Sequence, residues 1–233
     1  MRTGMGLVSE VRVDESGRFS AWIRCTSDIR PAQGQYVLAR DPLDREAVLA
    51  TPLFAGEYGE GGFLALDAEA TWGPGVQLEL RGPLGSGFQM PVGAHRVALV
   101  ALEGQAGRLL PLVQPALEQG AAVVLYCEPL PRQLPLSLEA LPLSALPEAL
   151  SWADFIAAEA PLAGLSDLGV LLGFKAGAKR SLVGQILIHT PMPCAGIADC
   201  GICAVPARGG WKLACKDGPV FPLGALDWER AAG

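Results

Sequence analysis

Residues 191–203 read Pro191-Met192-Pro193-Cys194-Ala195-Gly196-Ile197-Ala198-Asp199-Cys200-Gly201-Ile202-Cys203, and the chain then reaches a further thiol in Cys215-Lys216-Asp217-Gly218-Pro219-Val220-Phe221. The spacing is Cys194-x5-Cys200-x2-Cys203-x11-Cys215, which places four of the six cysteines within 22 residues. Four thiolates gathered by one tight loop and one downstream return suit a soft, thiolate-seeking centre, either zinc or an iron–sulfur cluster. A structural zinc site usually brings two Cys-x2-Cys knuckles, and only one such pair is present. The plant-type [2Fe–2S] pattern, Cys-x4-Cys-x2-Cys with a distant fourth Cys, differs from this chain by one inserted residue, so a cluster is the better fit. Zinc, and a pair of disulfides, stay open as alternatives.

Upstream of this loop the chain changes character twice. Residues 7–13 alternate apolar and polar side chains before the turn signal Asp14-Glu15-Ser16-Gly17, and residues 19–25, 35–39 and 76–80 read as further short strands, which together suggest a small antiparallel barrel. Residues 96–102 and 121–126 are continuous apolar runs flanking a helical candidate at 109–118, an order that predicts a βαβ unit with a parallel sheet. Helices are expected at 152–160 and 168–172, and a last strand at 179–189 leads into the cysteine loop.

Composition narrows the function classes. The 233 residues are 50% apolar and 18% charged, with 29 glycines and 19 prolines, so the chain is a loop-rich globular protein and neither disordered nor a coiled coil. A net charge of −6 gives no basic footprint for nucleic acid. The longest apolar runs are far shorter than the roughly 20 residues of a membrane-spanning helix. Residues 1–10 hold a single Arg and no apolar core, so no signal peptide is expected, and a cytoplasmic, reduced protein is. An apolar surplus without a membrane span points to a protein partner.

The segments 190–194 and 215–221 together resemble the cluster-binding C-terminus of the electron-transfer subunit of heteromeric dihydroorotate dehydrogenases, members of the ferredoxin–NADP reductase-like flavoproteins. Pro74-Gly75-Val76-Gln77-Leu78-Glu79-Leu80-Arg81-Gly82-Pro83-Leu84-Gly85-Ser86-Gly87-Phe88 is similar to the join between barrel and nucleotide domain in that family. The resemblance implies a mixed β and α/β fold: an antiparallel β-barrel over 1–90, a small α/β domain over 91–178 and a C-terminal [2Fe–2S] cluster domain over 179–233. It implies Cys194 and Cys200 on one iron and Cys203 and Cys215 on the other. It also implies a catalytic flavoprotein partner of the dihydroorotate dehydrogenase type in a hetero-oligomer, a place in pyrimidine biosynthesis, and electrons passing among that partner, the cluster, FAD and NAD.

The chain departs from the family at both nucleotide sites. Where the family has Arg-Pro-x-Ser to engage flavin and its phosphates, this chain reads Thr51, Pro52, Leu53, Phe54, and a threonine lacks the permanently charged fork of arginine. Gly59-Glu60-Gly61-Gly62 is at best a remnant of the phosphate-binding glycines. Leu102-Glu103-Gly104-Gln105-Ala106-Gly107-Arg108 stands where the Gly-Gly-x-Gly run belongs, with Glu103 bringing a negative charge towards a pyrophosphate. FAD binding is therefore in question and NAD is not expected.

The leading expectation is an electron-transfer component, not a catalytic subunit, with no catalytic residue assigned. The alternatives are a complete FAD and [2Fe–2S] reductase subunit using NAD, and a non-redox interaction subunit held by zinc. Gly82–Phe88 reads as an interdomain turn or a phosphate cradle, His189 as a strand-end residue close to the cluster loop, and Cys25 and Cys127 as buried, inert thiols.

Overall fold

A computed structural model describes residues 2–104, 106–131, 134, 137–174 and 182–232. Six strands come first: β1 (Arg2–Val13), β2 (Phe19–Arg24), β3 (Tyr36–Arg40), β4 (Thr51–Gly59), β5 (Gly62–Leu66) and β6 (Gln77–Leu84). They close into an antiparallel barrel in the order β1-β2-β5-β4-β3-β6, β6 pairing back on β1 from Arg2↔Gly82 to Leu7↔Gln77. The pleat turns alternate residues inward, so Val8, Ile23, Val37, Leu53, Phe63 and Leu78 are fully buried inside it. Register shifts at Val8/Glu10, Tyr36/Leu38 and Ala55/Glu57 supply the local bends by which a sheet curls shut.

The turns follow from their residues. Asp14 accepts hydrogen bonds from the backbone N–H of Ser16 (2.8 Å) and Arg18 (3.0 Å), closing the β1–β2 connection. Gly59-Glu60-Gly61-Gly62 is the tight hairpin between β4 and β5, with Gly61 at φ +74°, so these glycines serve the turn of the barrel. At Gly62 a Cβ would lie 2.1 Å from the carbonyl oxygen of Ile23, so only glycine fits.

The second layer is built from β7 (Arg96–Ala101), α1 (Val113–Glu118), β8 (Ala122–Cys127), β9 (Glu139–Leu141), α2 (Leu146–Trp152), β10 (Phe155–Pro161), α3 (Leu165–Leu171) and β11 (Gly184–His189). After β11 come a two-stranded hairpin of β12 (Ala204–Ala207) and β13 (Gly210–Leu213), and then β14 (Val220–Pro222). The sheet order is β14-β11-β10-β7-β8-β9, parallel except that β14 runs antiparallel to β11. The sequence places β11 and β14 in its C-terminal unit, and both are strands of this sheet. The cysteine segment is thus an excursion between two neighbouring strands. Residues 179–181 of the expected last strand, the 178/179 boundary and Gln105 lie outside the described residues.

One sequence expectation is corrected. Residues 152–160 do not form a helix: α2 ends at Trp152, and Phe155–Pro161 is a central strand buried on both faces from Phe155 to Ala160. A continuous apolar run has no period to separate helix from strand, and burial between two layers overrides the helical preference of its alanines. One sheet face packs under residues 109–116; the other shares a single core with Tyr36 and Phe54 of the barrel, Leu168 of α3, and Cys203 and Cys215.

Candidate metal centre

The four thiols of the excursion fall into two pairs. Cys194 Sγ lies 3.3 Å from Cys200 Sγ, and Cys203 Sγ lies 3.3 Å from Cys215 Sγ. Both distances are far beyond the roughly 2.05 Å of a disulfide, and all four cysteines are free. The inner pair is buried, Cys203 1% and Cys215 5% exposed, whereas Cys200 is exposed and Cys194 half-buried. Among the described residues, no three His, Cys, Asp or Glu side chains converge on a point that one metal ion could occupy. A single tetrahedral ion with metal–sulfur bonds of about 2.3 Å needs four sulfurs at one mutual spacing. Each pair sets two sulfur donors side by side.

Local backbone geometry fixes the outer pair. Ala195 donates to Met192 O (3.1 Å) and Ile197 to Cys194 O (2.9 Å), and Ala195 (φ +43°) and Gly196 (φ +82°) take successive left-handed conformations. That turn doubles the chain back so that Cys194 meets Cys200; the conformation costs an alanine about 1 kcal/mol and a glycine almost nothing. Hydrogen bonding from the backbone at Ala198, with smaller contributions from Cys200 and Gly196, holds the Cys194 thiol down at about 7. Burial, followed by hydrogen bonding to Cys203, pushes Cys215 up to about 12. A salt bridge from Lys216 Nζ to Asp199 Oδ1 (2.5 Å) straps the two arms together at the surface.

The inner pair is held from the barrel. Tyr36 Oη, on β3, donates a buried hydrogen bond to the Cys215 carbonyl (3.0 Å). The turn after β6 clamps the next residues: Ser86 N–H donates to Gly218 O (2.6 Å), Ser86 pairs with Pro219, and a Cβ at Gly85 would lie 2.7 Å from Gly218 O. Phe88 N–H is taken by Gln33 O (2.8 Å). The amides of Ser86 and Phe88, which the sequence leaves free to cradle a phosphate, therefore brace the cysteine loop and the barrel. Sequence reasoning missed Tyr36 and this clamp; residues separated by 179 positions leave no local signal. Cys127 is buried and Cys25 only partly so, and burial raises both thiols.

At the flavin-motif stretch, Thr51 Oγ1 pairs with Glu69 (2.6 Å) on the surface, Pro52 is half-buried, Leu53 points into the barrel and Phe54 fills the seam between barrel and sheet. Phe54 lies 5.8 Å from the Tyr36 ring and 6.5 Å edge-on from His189, with the Arg108 guanidinium 5.3 Å above it. Arg108 is 3% exposed and forms ion pairs with Glu159 of β10 and with Asp67 at the end of β5. Strand order reverses between β7 and β10, so the crevice at their carboxyl ends is where an open α/β sheet binds ligands. Here it holds the Arg108–Glu159 pair and a 90 Å³ cavity lined by Leu102, Glu103, Glu159, Pro161 and His189. Drug-sized ligand pockets run from about 300 to 1,000 Å³.

Residues 190–227 match the family model described as the iron–sulfur cluster binding domain of dihydroorotate dehydrogenase B. No curated protein sequence matches the chain. Among solved structures, an NADH-dependent reduced ferredoxin–NADP oxidoreductase, described for flavin-based electron bifurcation, superposes with a TM-score of 0.74 at 19% identity, covering 98% of this chain and 91% of that one. The ferredoxin reductase of carbazole 1,9a-dioxygenase in its FAD apo form gives 0.59 at 15% identity, over 76% and 65% of the two chains. A ferredoxin NADP+ reductase from Neisseria gonorrhoeae, with bound FAD and NADP, gives 0.57 at 12%, over 81% and 98%. At these identities the likeness is one of fold. With a ferredoxin–NADP reductase-like barrel and sheet, and with residues 190–227 matched to an iron–sulfur cluster binding domain, the chain resembles the electron-transfer subunit of dihydroorotate dehydrogenase B.

Proposed function

We propose that this chain is an electron-transfer subunit that holds a [2Fe–2S] cluster on Cys194, Cys200, Cys203 and Cys215 and relays electrons to or from a catalytic flavoprotein of the dihydroorotate dehydrogenase type, in pyrimidine biosynthesis. The observation that carries this reading is the gathering of four sulfurs into two close pairs at 3.3 Å within a segment matched to an iron–sulfur cluster binding domain, an arrangement that suits two metal ions with two thiolates each. Such a cluster, when bound, supplies one-electron chemistry. The protein's part is to set its surroundings: the inner pair lies in the core against Tyr36, and the outer pair faces outwards. Burial and backbone dipoles around the sulfurs are the levers by which a protein tunes a cluster's potential.

In this reading neither FAD nor NAD is retained. Thr51 to Phe54 provide no cation for a phosphate, Phe54 and Arg108 fill the seam, and two carboxylates line the crevice where a pyrophosphate would need positive charge. No described helix is long and apolar enough to cross a membrane. A cytoplasmic location is part of this proposal and is supported by the six free cysteines, which a reducing compartment keeps as thiols.

Anaerobically purified protein is expected to be red-brown, with two irons and two acid-labile sulfides per chain and no flavin fluorescence after heat denaturation. Colourless protein with one zinc per chain would overturn the cluster. Stoichiometric FAD would instead establish a complete flavin reductase subunit.

A further inference from the structure

The two thiol pairs are alike in spacing and unlike in access. In each, the sulfurs stand 3.3 Å apart, about 1.3 Å beyond the roughly 2.05 Å of a disulfide bond. In the outer pair Cys200 is exposed and Cys194 half-buried. The turn that brings them together is already made, by the left-handed Ala195 and Gly196 and by the bond from Ile197 N–H to Cys194 O (2.9 Å), so joining the sulfurs orders little further chain. Gly201, directly after Cys200, has open space where a Cβ would stand, which leaves this arm room to close the gap. The inner pair has neither freedom: Cys203 and Cys215 are 1% and 5% exposed and lie in one core with Val205, Ala214, Phe221 and Leu226. Thiol–disulfide exchange proceeds by direct attack of one sulfur on another, so it requires access, and a thiol closed off in a core is inert.

We propose that Cys194 and Cys200 form a reversible oxidation site when the chain carries no metal centre, closing into a disulfide by exchange with a small disulfide of the glutathione class while Cys203 and Cys215 stay thiols. One outer cysteine, as its thiolate, attacks a sulfur of the small disulfide; that S–S bond breaks, one small thiolate leaves, and a mixed disulfide is formed. The other outer cysteine, as its thiolate, then attacks the protein sulfur of the mixed disulfide and expels the second small thiolate. Together the two protein thiols give up two electrons and two protons, and one small disulfide becomes two small thiols. An excess of small thiol runs the same steps backwards. Closure stops the exposed sulfurs short of the sulfinic and sulfonic acids, from which a thiol is not ordinarily recovered. It also withholds two of the four cluster ligands until the pair is reduced, and only this consequence rests on the cluster reading above.

The test uses the full chain, stripped of iron by a chelator with dithiothreitol under argon, desalted and exposed to oxidised glutathione. Remaining thiols are alkylated in denaturant and the cysteine peptides are sequenced by mass spectrometry. One disulfide per chain, from Cys194 to Cys200, is expected, with Cys203 and Cys215 recovered as alkylated thiols in about nine chains of ten. Cys194→Ser and Cys200→Ser should each stop at one glutathione on the remaining outer thiol, and Cys203→Ser should still close the outer pair. Equal oxidation of the inner pair, bonds between outer and inner cysteines, or outer thiols that stay free would each overturn the proposal. The iron-loaded chain, treated alike, should form the disulfide about tenfold more slowly or not at all, because its outer sulfurs are engaged. Should it close the pair as fast as the stripped chain, the metal centre does not use these two sulfurs, and the cluster reading fails while the oxidation site stands.

Discussion

Replacing Arg108 by alanine tests the seam between barrel and sheet more directly than any other change. The guanidinium is 3% exposed, pairs with Glu159, itself 2% exposed, reaches Asp67 of the barrel, and covers the Phe54 ring at 5.3 Å. Asp67 is 41% exposed, so its share is small, about 0–1 kcal/mol. The large term is the Glu159 carboxylate, left in the core without its cation: breaking a buried pair from one side costs about 3–5 kcal/mol. For a chain of this size that corresponds to a fall in Tm of about 6–20 °C. The loss depends on pH with a definite sign. Burial already holds the Glu159 carboxyl above its usual range, and removing Arg108 raises it further. A group whose folded value is raised gives full stability below its unfolded value, about 4.3, and loses it as pH rises towards the folded value, at about 1.36 kcal/mol per unit. Urea unfolding of Arg108→Ala should therefore show the full deficit at pH 8. At pH 5 about 1–2 kcal/mol should remain, from the lost cation–π contact and packing. The double variant Arg108→Met/Glu159→Leu, which removes both charges and keeps the volume, should return to within about 1 kcal/mol of wild type at both pH values. A deficit below about 1 kcal/mol at pH 8, or one independent of pH, would refute the claim that this pair is a desolvated interdomain contact.

Three further substitutions probe the site and the barrel. Tyr36→Phe should destabilise by about 1–3 kcal/mol in chemical unfolding, because it orphans the buried Cys215 carbonyl; an unchanged midpoint would deny that the barrel braces the inner thiols. Cys203→Ser should abolish cluster absorbance and iron content while Cys25→Ser, outside the cysteine loop, leaves both unchanged, as read by spectrum and iron assay. Gly62→Ala should cost more than about 3 kcal/mol or prevent folding, since its Cβ meets the Ile23 carbonyl, whereas Gly93→Ala, open on all sides, should be neutral or slightly stabilising by thermal melt.

The barrel was legible where alternation is clean, at 7–13, 19–25 and 76–80, and less so at β4 and β5. There Leu53 and Phe54 are both buried, one in the barrel and one in the interdomain seam, which erases the period-two signal. Central strand β10 was misread for the related reason that it is covered on both faces. That the four thiols gather was legible, because cysteines in one loop have few other reasons to lie six, three and twelve residues apart, and they meet as two pairs. Their supports were not: Tyr36, Ser86 and Arg108 act across gaps of 179, 132 and 51 residues, and nothing local distinguishes them from ordinary barrel and turn residues.

The division of the thiols into an inner and an outer pair follows from how the excursion is anchored. Both of its ends are tied to the sheet, because β11 pairs with β10 on one side and β14 on the other. Its return arm is further tied to the barrel, through Tyr36 to Cys215 and through Ser86 to Gly218. The inner arm thus has three independent supports and is drawn into the core shared by barrel and sheet, which buries Cys203 and Cys215. The outer arm has only its own turn at Ala195 and Gly196 and the surface strap from Lys216 to Asp199, so Cys194 and Cys200 stay near solvent. An electron carrier needs this asymmetry: a fixed, dry side that sets the energy of the centre, and an accessible side against which a partner can close. Loosening the inner side should change the potential and the stability together, whereas changes around the outer side should be felt first in association with the partner.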